Sequence, residues 1–241
     1  MNRNRAYQVF LDSAAADENV VGVVLSGSQV AASFVTDKSD FDVFVVLREP
    51  GDRWPFVRGS AVEVVAMTLG EFEGYALPGS AAAWNQPAFL NARVELDRLG
   101  GGIGRIVDRK RSLTSEEAAA IGEESLGAYT NSLYRSLRNL EAGRRFAGRL
   151  DAAESVSPLL TAVFALEGRV RPFNKWLLHE LDRLPLAIPA LADRAERIAR
   201  EGDPGEQRAM FREVERQARA AGHGAVVDGW APDVAWLRGD G

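Results

Sequence analysis

Two short apolar runs and the polar residues that end and open them constrain this chain most. Residues 20–25 (Val-Val-Gly-Val-Val-Leu) stop abruptly at Ser26-Gly27-Ser28, and residues 43–47 (Val-Phe-Val-Val-Leu) are opened by Ser39-Asp40-Phe41-Asp42. The first run is a strand of the kind covered on both faces, and the second is its neighbour in sequence. Two carboxylates at the mouth of an apolar strand are costly to bury, because an isolated carboxylate in a low-dielectric interior loses several kcal/mol of hydration. Such a pair needs a counter-charge. Lys38 is the one basic residue close by in sequence, so a metal ion is the natural partner.

Composition narrows what else the chain can be. At 241 residues it is long enough for one large domain or two small ones with real cores. The net charge is −5 and no basic tract stands out, which weighs against a large nucleic-acid footprint. Cysteine is absent, so disulfides and thiolate metal sites are excluded, and two histidines (His179 and His223) are too few for a histidine-rich zinc site. The opening Met1-Asn2-Arg3-Asn4-Arg5 leads into no apolar stretch of signal-peptide length. No segment approaches the ~20 apolar residues of a membrane-spanning helix. The expected location is cytoplasmic, with no membrane partner.

In chain order, residues 3–16 carry Tyr7, Phe10, Leu11 and Ala14 at helical spacing, an amphipathic first helix. After the strand at residues 20–26, residues 29–34 read as a short helix starting at Gly27-Ser28, and Thr36-Asp37-Lys38-Ser39 as a turn. Residues 40–47 form the second strand and residues 61–68 a third, whose single acidic residue is Glu63. Residues 69–75 read as a short helix and residues 92–97 as a fourth strand, ended by Gly100-Gly101-Gly102. Beyond Ile103 the pattern becomes purely helical. Thr114 or Ser112 caps a tract with Glu116 and Glu117 in its first turn, where the helix dipole favours them. Helices are expected over 114–150, 155–168, 172–184, 188–201 and 204–221, punctuated by Gly168, Pro172, Pro185, Pro189 and Gly202-Asp203-Pro204-Gly205. Trp230 and Trp236 dock the tail. The predicted fold class is α+β: a mixed sheet with flanking helices over residues 1–110, then an all-helical, up-and-down bundle over 111–241.

The chemistry follows from the opening stretch. Asp40 and Asp42 are two apart on a strand, so their side chains share a face. Paired carboxylates are the hard oxygen ligands that Mg²⁺ takes when it bridges a nucleotide's phosphates. Gly27 lets the backbone approach an anion, Ser28 adds a hydroxyl, and a following helix N-terminus favours negative charge. Glu63 reaches the same metal if its strand pairs beside that of the aspartates. Metals held by three carboxylates stabilise the attacking and leaving oxygens of an in-line displacement at phosphorus. That task is transfer of a nucleoside monophosphate to a hydroxyl, with pyrophosphate leaving. Taken singly, each piece has a plainer reading: Gly-Ser is a turn, Asp-x-Asp a loop cap, and Glu63 an edge-strand surface residue. Their combination at this spacing, tied to apolar strands, points to a site.

Gly27-Ser28, ten intervening residues, then Ser39-Asp40-Phe41-Asp42 and an apolar strand resembles the signature of the polymerase-β-type nucleotidyltransferase superfamily. Val62-Glu63-Val64 before a short acidic helix, with residues 92–97 and their glycine-rich turn, is similar to the kanamycin nucleotidyltransferase branch. A helical second half also fits the aminoglycoside and lincosamide nucleotidyltransferases. The motif resemblance covers residues 20–110; in the helical half only Arg171-Pro172-Phe173-Asn174-Lys175-Trp176 looks like a segment of some bacterial members. The resemblance implies Gly27, Ser28 and Ser39 on the triphosphate, Asp40 and Asp42 as metal ligands and Glu63 as the third carboxylate. The implied cofactor is Mg²⁺, with ATP or another NTP as co-substrate, and a homodimer completing the site is what the kanamycin branch suggests.

The helical half offers fewer handles. A hydroxyl nucleophile gains from a general base; Glu123 and Glu124 on the first long helix are candidates, Glu124 foremost, set against a solvated helix face, with Glu63 itself as the alternative base. Lys175 is one of only three lysines, with Lys38 and Lys110. It stands in the first turns of a helix opening at Pro172, whose other positions Phe173, Trp176, Leu177, Leu181 and Leu184 are apolar, and is a candidate triphosphate ligand or an ordinary surface lysine. The acceptor expected is a small hydroxylated molecule such as an aminoglycoside-like antibiotic, giving resistance. The alternatives are a nucleotidyltransferase modifying RNA or protein, and a non-catalytic nucleotide-binding module.

Overall fold

The computed structural model describes residues 2–30, 35–36, 39–185 and 188–240. The chain forms two compact units, Met1–Ser112 and Leu113–Gly241. Each has its own core: one apolar cluster draws only on residues before 97, the other only on residues after 125. Among the described residues no helix is long and apolar enough to cross a membrane.

The first unit begins with helix α1 (Arg3–Ala15), capped by the Asn2 side chain accepting from the Asn4 N–H. Strands β1 (Val20–Ser26), β2 (Phe41–Leu47), β3 (Val62–Thr68) and β4 (Arg93–Asp97) form one four-stranded sheet in the order β3-β2-β1-β4. β1 runs antiparallel to both β2 and β4, while β3 lies parallel to β2, so the sheet is mixed. β1 is buried along its whole length, as its unbroken apolar pattern requires. The alternation of β2 divides the core: Phe41, Val43, Val45 and Leu47 meet Tyr7, Phe10 and Ala14 of α1 on one face. On the other face Phe44 packs among Phe72, Tyr75 and Phe89, contributed by helix α2 (Leu69–Gly74), the residue that ends it, and the 3₁₀ segment Ala83–Phe89. Thr68 and Glu71 cap α2 reciprocally, which ends β3 and starts the helix in one step.

Two elements of this unit carry no strong sequence pattern and depart from expectation. The 3₁₀ segment is one. The other is helix α3 (Gly102–Arg111), which starts inside the glycine run expected to be only a turn. Asp97 fastens it, accepting from the N–H groups of Leu99 at 2.8 Å and Gly104 at 3.2 Å. Ile103 then packs against Gly22 of β1, where any side chain would meet its Cγ1 at 2.6 Å. Of the expected helix over 29–34, the described residues belong to a 3₁₀ turn, Gly27–Val30; residues 31–34 lie outside the described residues, as does Lys38.

The second unit contains α4 (Ser115–Glu141), α5 (Arg145–Leu166), α6 (Leu177–Leu181), α7 (Leu191–Glu201), α8 (Pro204–Ala220), α9 (Gly224–Asp228) and α10 (Val234–Arg238). Thr114, not Ser112, is the cap of α4, in a capping box with Glu117. The helix expected over 114–150 is broken at 142–144 by Gly143 in the left-handed region (φ 73°). α5 then runs through the expected break near 151–154, with Pro158 inside it. The expected 172–184 helix is a 3₁₀ turn, Asn174–Trp176, followed by the five-residue α6. The tail docks as expected: Trp230 and Trp236 pack on Tyr134 of α4, and Trp236 Nε1 donates to Glu141 at 3.0 Å.

Candidate functional site

The end of β1 and the start of β2 are registered partners, Ser26 opposite Asp42. Ser26 Oγ donates to the Asp42 carbonyl oxygen at 3.2 Å, fixing the turn against the second strand. Gly27 follows with φ 72°. A β-carbon there would lie 2.9 Å from Asp42 Cγ and would overlap Oδ2, so the close approach of turn and carboxylate requires glycine. Ser28 is half-buried in the same 3₁₀ turn.

β3 completes the arrangement. In the parallel β2–β3 register Asp42 stands directly beside Glu63, and the pairing continues from Phe41 beside Val62 to Leu47 beside Thr68. Registered residues of neighbouring strands point to the same face, so Asp42 and Glu63 share the face that Phe44 occupies two residues on. Glu63 Oε1 accepts from the Gly59 N–H at 2.6 Å, which holds its carboxylate toward the loop before β3. Asp40 precedes the strand and pairs with Arg3 of α1, Nη2 to Oδ1 3.5 Å.

Two α1 residues that sequence reasoning did not connect to the site therefore touch it. Arg3 takes Asp40, and Tyr7, one helical turn on, stacks on Phe41 with centroids 4.0 Å apart and planes at 7°. The residue between the two aspartates is thereby gripped by the helix. Burial, with the Glu95 carboxylate adding to it, holds the Tyr7 phenol protonated far above its ordinary range. The signal in the sequence was the Arg3/Tyr7 spacing of four, which puts both on one helix face.

Ser39, expected on the nucleotide, is buried, and its hydroxyl is engaged within the turn. It accepts from the Thr36 N–H at 2.9 Å and lies 3.2 Å from Thr36 Oγ1, while its carbonyl accepts from Gln29 Nε2 at 3.0 Å. Ser39 thus ties the polar loop to the 3₁₀ turn after β1.

The structure brings Gly27, Asp42 and Glu63 together and sets Asp40 next to them in the chain. Among the described residues no three carboxylate or imidazole groups converge closely enough to hold a metal ion as they stand. The donors nonetheless fit Mg²⁺ in kind: carboxylate oxygens, two on registered strands, beside a glycine turn with space for no side chain. Glu124 and Lys175 belong to the second unit. Glu124 is exposed on α4, and its neighbour Glu123 meets His223 Nδ1 at 3.2 Å. Lys175 is exposed, its ammonium 4.9 Å from the Trp176 ring centroid.

With this geometry in place, comparison with solved structures adds a likeness of fold. A crystal structure at 1.90 Å of a nucleotidyltransferase-like protein from Exiguobacterium sibiricum 255-15 superposes with a TM-score of 0.51 at 13% identity, covering 94% of this chain and 78% of that one. The chain has a nucleotidyltransferase-like fold. Neither a known protein family nor a curated protein sequence matches it. The likeness reaches the fold and leaves the kanamycin-type branch as a matter of proposal.

Proposed function

We propose that this protein is a nucleotidyltransferase that moves a nucleoside monophosphate, AMP from ATP, to a hydroxyl of a small acceptor and releases pyrophosphate. The observation that carries the reading is the β2–β3 register, which sets Glu63 beside Asp42 at the Gly27 turn. Asp40, Asp42 and Glu63 are the side chains that would hold Mg²⁺, which when bound supplies charge neutralisation at the phosphates. The backbone at Gly27 and the Ser28 hydroxyl bind phosphate oxygens, and Lys175 adds positive charge. Glu124 is assigned as the base for the acceptor hydroxyl, whose oxygen bonds to the α-phosphorus as the bond to the β-phosphate oxygen breaks. The net charge of −5 favours a cationic acceptor, so an aminoglycoside-like molecule heads the candidates, which would make the protein a cytoplasmic resistance enzyme.

The test is incubation of the full chain with α-labelled nucleoside triphosphates, Mg²⁺ and a panel of aminoglycosides, other hydroxylated small molecules, tRNA and proteins. Label should appear in a small hydroxylated molecule with equimolar pyrophosphate, and Asp42→Asn should abolish it. Label in tRNA or protein would reassign the acceptor. No transfer to any acceptor, together with Mg²⁺–ATP stabilisation that Asp42→Asn leaves intact, would overturn the reading. Size-exclusion chromatography with light scattering tests the homodimer.

A further inference from the structure

The two edges of the four-stranded sheet are finished differently. β4 carries Arg93, Glu95 and Asp97, and its register with β1 shifts between Val23 and Val24. Charges and bulges keep an edge strand from pairing with another chain. β3 has little of either. Glu63 is its only charged residue, and its register with β2 runs unbroken from Val62 to Thr68. Exposed apolar side chains gather with it: Val65 within the strand, and Phe56 and Val57 in the segment that leads into it.

Hydrogen bonds set which backbone groups of β3 look outward. The Phe41 N–H donates to the Ala61 carbonyl, and Phe41 is registered on Val62. In a parallel ladder of that phase Glu63, Val65 and Met67 bond to β2, while Val62, Val64, Ala66 and Thr68 turn their N–H and C=O groups to the edge. The ends of the edge are already closed. The Val62 carbonyl accepts from Ser60 Oγ, and the Thr68 N–H donates to Glu71 Oε2 at 2.7 Å. The Thr68 carbonyl, at the N-cap, belongs to the helical ladder of α2. Besides the Val62 N–H, what remains unmet among the described residues is the donor and acceptor of Val64 and those of Ala66.

This pattern is complementary to itself. We infer that β3 is the interface between two copies of this chain, which pair antiparallel about a two-fold axis at Val65 and join their sheets into one. About that axis Val64 lies opposite Ala66 of the other copy as a hydrogen-bonded pair, so every open group of both residues is met. Val65 faces its own counterpart as a non-hydrogen-bonded pair, and Glu63 lies opposite Met67, not opposite another carboxylate. Charge favours the same direction. Arg58, exposed and meeting no carboxylate among the described residues, precedes β3, while the exposed Glu71 and Glu73 follow it. Antiparallel pairing brings each copy's basic end to the acidic end of the other; parallel pairing would bring like ends together. The inference does not depend on the proposed reaction.

The experiment is size-exclusion chromatography with light scattering on the full-length protein over roughly 1–100 μM. The mass should rise toward twice the chain mass of 26.2 kDa. Val65→Lys and Val65→Glu each set like charges across the axis and should each weaken the dimer about tenfold or more. Mixed in equal amounts they should pair again, because residue 65 meets only itself. The chain has no cysteine, and Cα atoms about 4.5 Å apart are within disulfide reach. Val65→Cys treated with oxidised glutathione should therefore give a cross-linked dimer, whereas Phe146→Cys, exposed in the second unit, should not. A protein monomeric throughout the range, a dimer that Val65→Lys leaves as tight as before, or a mixture of the charged variants that stays monomeric overturns the inference. Absence of the Val65→Cys cross-link overturns it even where a charged variant fails to fold.

Discussion

At the scale of single residues, Gly27 is held by two separate demands, a left-handed backbone and the space its absent side chain leaves to Asp42. Gly27→Ala is expected to destabilise the protein by about 2–3 kcal/mol, combining backbone strain with displacement of the carboxylate. Gly79 has a similar φ of 84°, and a β-carbon added there would meet nothing within 4 Å, so Gly79→Ala should cost only about 1 kcal/mol. Urea unfolding of both variants separates the contact from the strain, and equal costs would deny the contact. Lys110 is a different case. It is fully buried, donates to the carbonyls of Glu73 at 3.0 Å and Tyr75 at 2.7 Å, and lies over the rings of Phe72 and Phe89. Burial pulls its pKa down from 10.5 to about 8. The unfolded chain therefore binds this proton more tightly than the folded one, and raising the pH between about 8 and 10.5 favours the fold. Relative to Lys110→Met, the native protein should gain stability across that window by at most about 1.4 kcal/mol per pH unit. A flat difference in denaturant unfolding over the same range would show that the amine does not titrate there.

At the scale of elements, α1 matters to the site as well as to the core. Tyr7→Ala removes the ring stacked on Phe41 and is expected to cost about 3 kcal/mol. It should also weaken any Mg²⁺–ATP stabilisation more than Phe10→Ala, which opens the same core further from the aspartates. Asp97 does for α3 what Tyr7 does for β2. Its burial acts to raise the carboxyl pKa, and the N–H groups of Leu99 and Gly104 outweigh that and hold it below the ordinary range. The folded state thus prefers the ionised form. Its stabilisation is complete above the ordinary carboxylate range and is lost as the pH falls through the depressed pKa. Asp97→Ala should lower stability by about 1–3 kcal/mol at neutral pH, and the gap to the native protein should close on acidification. A gap that stays constant down to acid would sink this account.

At the scale of the molecule, two separate cores imply separate responses to damage. The guanidinium groups of Arg138 and Arg208 lie 4.0 and 4.9 Å from the Trp236 ring centroid, and the ring packs against Tyr134. Trp236→Ala should remove about 2 kcal/mol from the second unit. Scanning calorimetry is expected to show that transition move while the transition of the first unit stays in place. One transition that shifts as a whole would mean the units unfold together.

The sequence by itself determined the strand that ends in Gly-Ser, the acidic opening of the next, the third strand with its glutamate, and the change to an all-helical half, set near residue 110. These are local signals: apolar runs, turn residues and caps act over a few positions. Only the tertiary structure decided that β3 lies parallel beside β2, which sets Glu63 at Asp42, because strand pairing is a choice among partners distant in sequence. It also decided that Arg3 and Tyr7 reach back to the Asp-Phe-Asp segment, and that Ser39 serves the turn. The breaks at Gly143 and before α6 escaped the helical pattern because one left-handed residue or one 3₁₀ turn leaves apolar spacing almost unchanged. Arg171 is the clearest instance. In the sequence it is one arginine among many, and what sets it apart is partial burial of a guanidinium that meets no carboxylate among the described residues.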